Sequence, residues 1–224
     1  MTNRVDVHVL HMPYEKPSWR EKCLNQLAAE PVNVHHLDGI AGDIRAARNA
    51  AFRVGTAEYV SFVDLDDEIT PGIFQHCIDI LDQNPDVCGV YTMSHIIDEN
   101  DNVVGFTHAF RPFLQESRCD FLEIHQLVVM RREKVIQTLD AHYDEIPPCV
   151  GAEVYMYWLM ARNDPWIATK RLGYKWRTHS GGAHLKKSPL LDVEQRRTSS
   201  FIVATYSDLK ANIHRRWNSE RQSC

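Results

Sequence analysis

Residues 59–68 read Tyr59-Val60-Ser61-Phe62-Val63-Asp64-Leu65-Asp66-Asp67-Glu68, an apolar, β-branched and aromatic stretch that stops abruptly in carboxylates. The apolar part predicts a buried strand. Aspartate is a poor strand former, and clustered carboxylates repel one another unless a positive charge sits between them. A divalent cation is such a charge. In α/β sheets the carboxyl ends of the strands are also where ligands bind. The competing reading is an acidic loop that caps the next helix through Asp66 or Asp67, since Pro71 and Gly72 follow closely.

The chain before this run sharpens the reading. Residues 5–10 predict a strand that Pro13 breaks, and 18–30 a helix that starts at Ser18 and ends before Pro31. Residues 32–37 predict a second strand ending at Asp38-Gly39, and 42–52 form a strong helix pattern. This β-α-β-α-β alternation predicts a parallel sheet with helices on its faces. A chain of 224 residues is long enough for one sizeable α/β core. No 18-residue apolar run predicts a membrane span, and no basic-then-apolar start predicts a signal peptide. The cysteines at 23, 77, 88, 119, 149 and 224 form no Cys-x-x-Cys pair. That argues against zinc and against a secreted disulfide framework, and for free thiols in a reducing cytoplasm.

Strand, Asp38-Gly39, Ala47-Arg48-Asn49, Glu58-Tyr59-Val60 and Val63-Asp64-Leu65-Asp66-Asp67 occur in that order. The set resembles family 2 glycosyltransferases of the GT-A fold, closely over residues 5–74, loosely over 143–184 and in pattern only over 93–142. The resemblance implies an α/β, Rossmann-like single GT-A domain over 1–224, with a mixed, mostly parallel central sheet flanked by helices. About 1–92 would form the nucleotide-sugar half, 93–185 the acceptor half and 186–224 a basic C-terminal helical segment. It further implies a metal-dependent, inverting transfer of sugar from a nucleotide sugar, UDP-linked, to a hydroxyl acceptor.

Site residues follow from the same resemblance. Pro13 and Tyr14 would touch the base, and Asp38 would accept a hydrogen bond from a uracil-type ring, its other reading being a turn residue. Arg48 would reach the base or the diphosphate, its other reading being a salt bridge into the acidic cluster. Asn49 ranks lower, as a packing residue. Asp64 would contact ribose, Asp66 would ligate the cation, and Asp67 would be a second ligand or a positioning group. His179 lies in Tyr174-Lys175-Trp176-Arg177-Thr178-His179, where the family has an aromatic-Arg-x-His pattern, and is a third ligand candidate. Oxygen ligands suit Mn²⁺ or Mg²⁺, and a histidine tilts the choice toward Mn²⁺. Arg177 and Lys186 would offset charge on the diphosphate. His184 is a weaker candidate, and Gly181-Gly182 reads as a lid. Glu153 stands where the family often carries Glu-Asp before an acceptor-side helix, although Ala152-Glu153 departs from that pair. It is the candidate general base, and burial in its apolar helix would raise its pKa. Its other reading is a first-turn glutamate favoured by the helix dipole. Asp144 and Glu145 are the fallback bases.

Strands near 87–93 and 103–107 around the polar turn 98–102 predict a hairpin, and the turn lacks the spacing of an EF-hand. His125 precedes the strand Gln126–Met130, whose ends would carry acceptor-site residues. Ile202, Tyr206, Leu209, Ile213 and Trp217 recur at helical spacing and predict a helix packed on the core. Charge is uneven: residues 170–224 hold twelve Lys or Arg and four acids, a surplus of +8, whereas 1–169 carry −13. A solvated helical tail accounts for this, and so does a polyanionic partner. Bacteriophage enzymes that glycosylate hydroxymethylated pyrimidines need the same parts: a cytoplasmic catalyst, a nucleotide sugar and a basic surface. DNA is therefore a candidate acceptor, with Lys186, Lys187, Arg196, Arg197, Arg215 and Arg216 on its phosphates. Glycan, protein and small-molecule acceptors are the alternatives. A sugar nucleotidyltransferase would need a glycine-rich loop after the first strand, which residues 11–17 lack. A catalytically silent polyanion-binding module is the non-enzymatic rival, and the intact acids speak against it.

Overall fold

The computed structural model describes residues 3–11, 15–40, 42–106, 124, 126–148 and 152–181. Pro13, Tyr14, His125, Gly182, His184, Lys186, Lys187, Arg196, Arg197, Arg215, Arg216 and the stripe from 202 to 217 lie outside these residues.

The first half alternates as its periodicity requires. Strand β1 (Val5–His11) leads to α1 (Pro17–Ala28), β2 (Val32–Asp38), α2 (Ile44–Phe52) and β3 (Tyr59–Phe62). Pro17 opens α1, where its missing N–H costs nothing. Asp43 caps α2 by accepting from the Ala46 N–H at 2.9 Å. A two-residue strand, β4 (Glu68–Ile69), follows the acidic turn and leads into α3 (Ile73–Gln83). The competing reading of the turn as a cap for α3 fails: Glu30 accepts from the N–H groups of Gly72 and Phe74, so the cap comes from the end of α1. Strands β5 (Gly89–Ile97) and β6 (Val103–Phe106) form the expected antiparallel hairpin. Asp98 accepts from the N–H groups of Asn100 and Asn102, which closes its turn. Strand β7 (Val128–Arg131), α4 (Arg132–His142), a 3-10 turn (Tyr143–Glu145), α5 (Ala152–Ala161) and β8 (Trp166–Arg177) complete the described elements.

The sheet order is β2-β1-β3-β7-β5-β8-β4, with β6 beside β5. Parallel pairing holds for β2-β1-β3 and for β5-β8, whereas β3-β7, β5-β7, β5-β6 and β4-β8 are antiparallel. The sheet is thus mixed, as expected, but parallel pairing governs only part of it. Strand β7 enters between β3 and β5 against both neighbours, and nothing in its local pattern announces that direction.

Alternation along the strands builds a core on each face. Tyr59, Val129 and Val90 point with Val5, Val7 and Val9 toward α1 and α3. Val60, Phe62, Val128, Met130 and Tyr91 point toward α2, α4 and α5. Helix α5 is buried nearly all round, from Tyr155 to Ala161. Cys23, Cys77 and Cys88 are free and buried, where burial raises their thiols. No helix among the described residues is long and apolar enough to cross a membrane.

Candidate active site

Strand β3 ends at Phe62, and the chain then alternates inward and outward. Leu65 joins the core under α1 and α3, and Asp67 is buried beside it. The Asp64 and Asp66 side chains stay reachable, at 39% and 16% exposed. Tyr174 on β8 ties the turn. Its hydroxyl accepts from the Asp64 N–H at 3.2 Å and donates to Asp67 Oδ2 at 2.7 Å. The Arg177 N–H donates to the other Asp67 oxygen at 2.6 Å. Asp67 is thus buried with both oxygens hydrogen-bonded, whereas Asp64 stays open to solvent, and of the two roles expected for Asp67 the geometry favours positioning. Burial, then the charges of Asp66 and Asp64, hold the Asp67 carboxyl well above the ordinary value.

Asp66 faces His179, with Nε2 to Oδ2 at 2.9 Å. The His179 ring packs on Trp19, centroids 5.0 Å apart. Burial first, and the Asp64 charge next, raise the Asp66 carboxyl, while His179 partly offsets them. A cation would relieve that surplus. Among the described residues no group of three or more His, Cys, Asp or Glu is arranged to hold a metal ion by itself. Asp66 and His179 fit a site in which the protein supplies two ligands and the rest come from elsewhere.

Arg177 does not take the diphosphate contact expected of it. Its side chain is buried, and its guanidinium donates to Asp66 O, Asp98 O, Asp101 and Glu68. With its donors so engaged, it struts the acidic turn against the β5–β6 hairpin and does not point at a diphosphate. Lys22 and Lys175 add cations to Glu68 from the side.

Arg48 on α2 is also placed differently from the donor contact expected of it. Its guanidinium lies 3.7 Å over the Phe62 ring. Nη2 donates to Asp64 Oδ1 at 2.8 Å and Nε donates to Glu153 Oε1 at 3.0 Å. It takes the alternative role, a salt bridge into the acidic cluster, and extends it to the first turn of α5. Glu153 is 12% exposed at its side chain and pairs with Arg48. Asp144 and Glu145 sit exposed on the 3-10 turn, where Glu145 accepts from or pairs with His142 at 2.8 Å. Asp38 is exposed at the end of β2, in register with His11. Asn49 accepts from Arg53, the residue that follows α2, in an exposed contact at 3.2 Å.

Two contributors escaped the sequence reading. Gln126 Nε2 donates to Asp64 Oδ2 at 2.8 Å, and Tyr174 orders the turn. Both reach the turn from more than sixty residues away. Gln126 stood in the sequence only as the start of a strand, and Tyr174 only as part of an aromatic-rich run.

The family described as Glycosyl transferase family 2 matches residues 21–143, and the chain belongs to it. Among solved structures, residues 1–349 of S. aureus TarS in complex with UDP-GlcNAc match with a TM-score of 0.60 and 15% identity, over 83% of this chain and 61% of that one. The same TarS fragment with UDP matches with a TM-score of 0.61 and 15% identity, over 89% and 65%. The chain thus spans somewhat less than two thirds of these neighbours' length. No curated protein matches the chain in sequence. The chain has the GT-A fold of these neighbours.

Proposed function

We propose that this protein is a glycosyltransferase that takes its sugar from a UDP-linked donor and passes it, with inversion, to a hydroxyl acceptor, aided by Mn²⁺ or Mg²⁺. The carrying observation is the Asp66–His179 pair beside the reachable Asp64, all at the carboxyl end of β3. The UDP and UDP-GlcNAc complexes of the TarS neighbours support the donor class. Asp66 and His179 would hold the ion. When bound, it stabilises negative charge on the leaving nucleoside diphosphate.

The chain's own residues do the rest. Asp38 accepts from the base and Asp64 from the ribose. Asp67, locked by Tyr174 and Arg177, keeps Asp66 aimed outward. Glu153 takes the acceptor's hydroxyl proton as that oxygen bonds to the anomeric carbon. The bond from that carbon to the diphosphate oxygen breaks, and its electron pair leaves with UDP. Glu153 is preferred to Asp144 and Glu145 because Arg48 links it to Asp64. Pro13, Tyr14 and Lys186 complete the donor site in this proposal, and the enzyme works in the cytoplasm. The test is hydrolysis of UDP-GlcNAc and UDP-glucose by purified protein with Mn²⁺, then with chelator. Metal-dependent release of UDP is expected. No release from either donor, with Mn²⁺ present, would leave a silent polyanion-binding module.

For the acceptor, the +8 surplus of residues 170–224 supports DNA bearing 5-hydroxymethylpyrimidines over glycan, protein or small-molecule acceptors. Lys186, Lys187, Arg196, Arg197, Arg215 and Arg216 would neutralise phosphates, and the base would be flipped toward Glu153. Binding should then weaken with salt, with a log–log slope of about −0.9 per neutralised phosphate. Transfer of labelled sugar to modified DNA, and none to unmodified DNA, is the expected result. Donor hydrolysis without labelling of modified DNA would reject this acceptor.

A further inference from the structure

A single buried guanidinium joins the two halves of the site. Arg48 is 4% exposed, yet it is forked between Asp64 on the donor side and Glu153 on the acceptor side. The second oxygen of Asp64 is held by Gln126, whose own backbone carbonyl accepts from the Ser94 hydroxyl. Gln126, Asp64, Arg48 and Glu153 thus form an unbroken line of side chains drawn from four separate segments. A guanidinium is planar and its donors keep a fixed angle. It cannot turn to follow one carboxylate without disturbing its bond to the other.

Packing alone does not require this arrangement. Among the described residues, Arg48 Nη1 is buried without a hydrogen-bond partner, and so is the hydroxyl of Tyr157, one turn after Glu153 on α5. Each unmet buried donor costs about 1–3 kcal/mol. Phenylalanine at 157, and apolar residues replacing Arg48 and Glu153 together, would fill the same space without that cost. The structure accepts it where a donor-side and an acceptor-side carboxylate must be kept in fixed relation.

We propose that Arg48 is a positioning residue that orients Glu153 by reference to Asp64, with Gln126 steadying Asp64 from the far side. The donor site and the base are thereby aligned by one rigid connector. This rests on the donor and base assignments proposed above. Its energetic sense is that a misplacement of about 1 Å in a reacting group costs on the order of 10²-fold in rate. Lysine cannot replace the connector, because one ammonium lacks the fork.

The test measures UDP affinity by calorimetry and hydrolysis of UDP-GlcNAc in Mn²⁺. Arg48→Lys should lower kcat by roughly 10²-fold while UDP affinity changes little. In a Glu153→Gln background the same substitution should add no further loss, because both act on one group. Multiplying losses would overturn the coupling, as would a collapse of UDP affinity with normal turnover per bound donor. Gln126→Leu is the second variant, and it leaves the buried charges in place should Arg48→Lys fail to fold. It should cost turnover in the parent and less in the Glu153→Gln background. Equal costs in both would also overturn the coupling. A parent protein that neither binds UDP nor hydrolyses the donor overturns the donor reading itself. Parental turnover with multiplying losses overturns the connector alone.

Discussion

Buried carboxylates stand at both ends of the β2-β1-β3 unit and meet opposite fates. Asp6, at the amino end of β1, accepts from Asn33 at 2.9 Å and from the Ala57 N–H at 2.8 Å. It also pairs with His35 at 2.9 Å and with Arg132 from the start of α4. Burial pushes its carboxyl up, but His35, Asn33 and the Ala57 N–H outweigh that and hold it below the ordinary value. At the carboxyl end, burial and mutual repulsion win, and Asp66 and Asp67 are raised. The same residue type is neutralised at one pole and left with surplus charge at the other. A pole that hides more negative charge than it balances is where a cation gains most, and perturbed groups of this kind cluster at functional sites. The amino pole holds the fold together, and the carboxyl pole is proposed to do the chemistry.

Substitutions at the two poles should therefore fail differently. The largest effect is expected at Asp66. Asp66→Ala should cut donor turnover by roughly 10³-fold or more, the loss of several kcal/mol of charge stabilisation. Its melting temperature should hold or rise. Chelator should reproduce the loss in the parent protein and Mn²⁺ restore it, and full turnover in chelator would erase the contrast between the poles. Asp6→Ala should do the reverse. Breaking a buried pair costs about 3–5 kcal/mol, so urea denaturation should show a large loss of stability. Mn²⁺-dependent UDP binding should survive wherever the protein remains folded.

A smaller loss is expected at Gly55, which has φ +86°. A Cβ there would fall 2.1 Å from Asp6 Oδ2 and 2.8 Å from His35 Nε2. Gly55→Ala should cost roughly 1–3 kcal/mol from backbone strain, besides the displaced Asp6 contacts. A variant as stable as the parent would show that the amino pole is looser than its hydrogen bonds imply.

The smallest effect is in pH, measured by melting in metal-free buffer. Asp6 is lowered, so its stabilisation is present above the unfolded value of 3.8 and is lost as pH falls through its folded value. The deficit of Asp6→Asn should therefore be full at pH 7 and shrink below 3.8. Asp66 is raised, so its charge burdens the fold above its folded value, and the burden lifts as pH falls from there toward 3.8. Asp66→Asn should melt above the parent at pH 8, with the gap closing toward pH 4. A gap that widens on acidification would reverse the sign assigned to this pole.

Much of the fold was legible because its signals are local. The strand patterns at 5–10 and 32–37 and the helix patterns at 18–30 and 42–52 each rest on residues a few positions apart, and α1 starts within a residue of its predicted start while α2 ends at its predicted end. The acidic turn was legible for the same reason, since aspartates ending an apolar strand leave few alternatives. The donor and metal roles assigned to Asp38, Asp64, Asp66 and His179 are proposals; the strand-end positions of the three aspartates could be read directly, whereas His179 was reached only through the resemblance, and its place after β8 came from the structure. Arg177 could not be read. In sequence it is a cation beside a candidate ligand, and only the pairing of β8 with β4 and β5 surrounds it with four acceptors. Gln126 and Tyr174 were missed because their partners are 62 and 107–110 residues away.

By itself the sequence determined that a buried parallel unit would present carboxylates at its carboxyl edge. Hydrophobic period and residue propensity act over a few residues and need no partner to be felt. Tertiary structure decided which carboxylates stay reachable and which are locked away. It turned Asp67 inward onto Tyr174, set Asp66 against His179, and drew Asp64 and Glu153 together on Arg48. Those outcomes depend on which distant strands and helices become neighbours, because a charge takes its energy from the groups around it and not from those beside it in the chain.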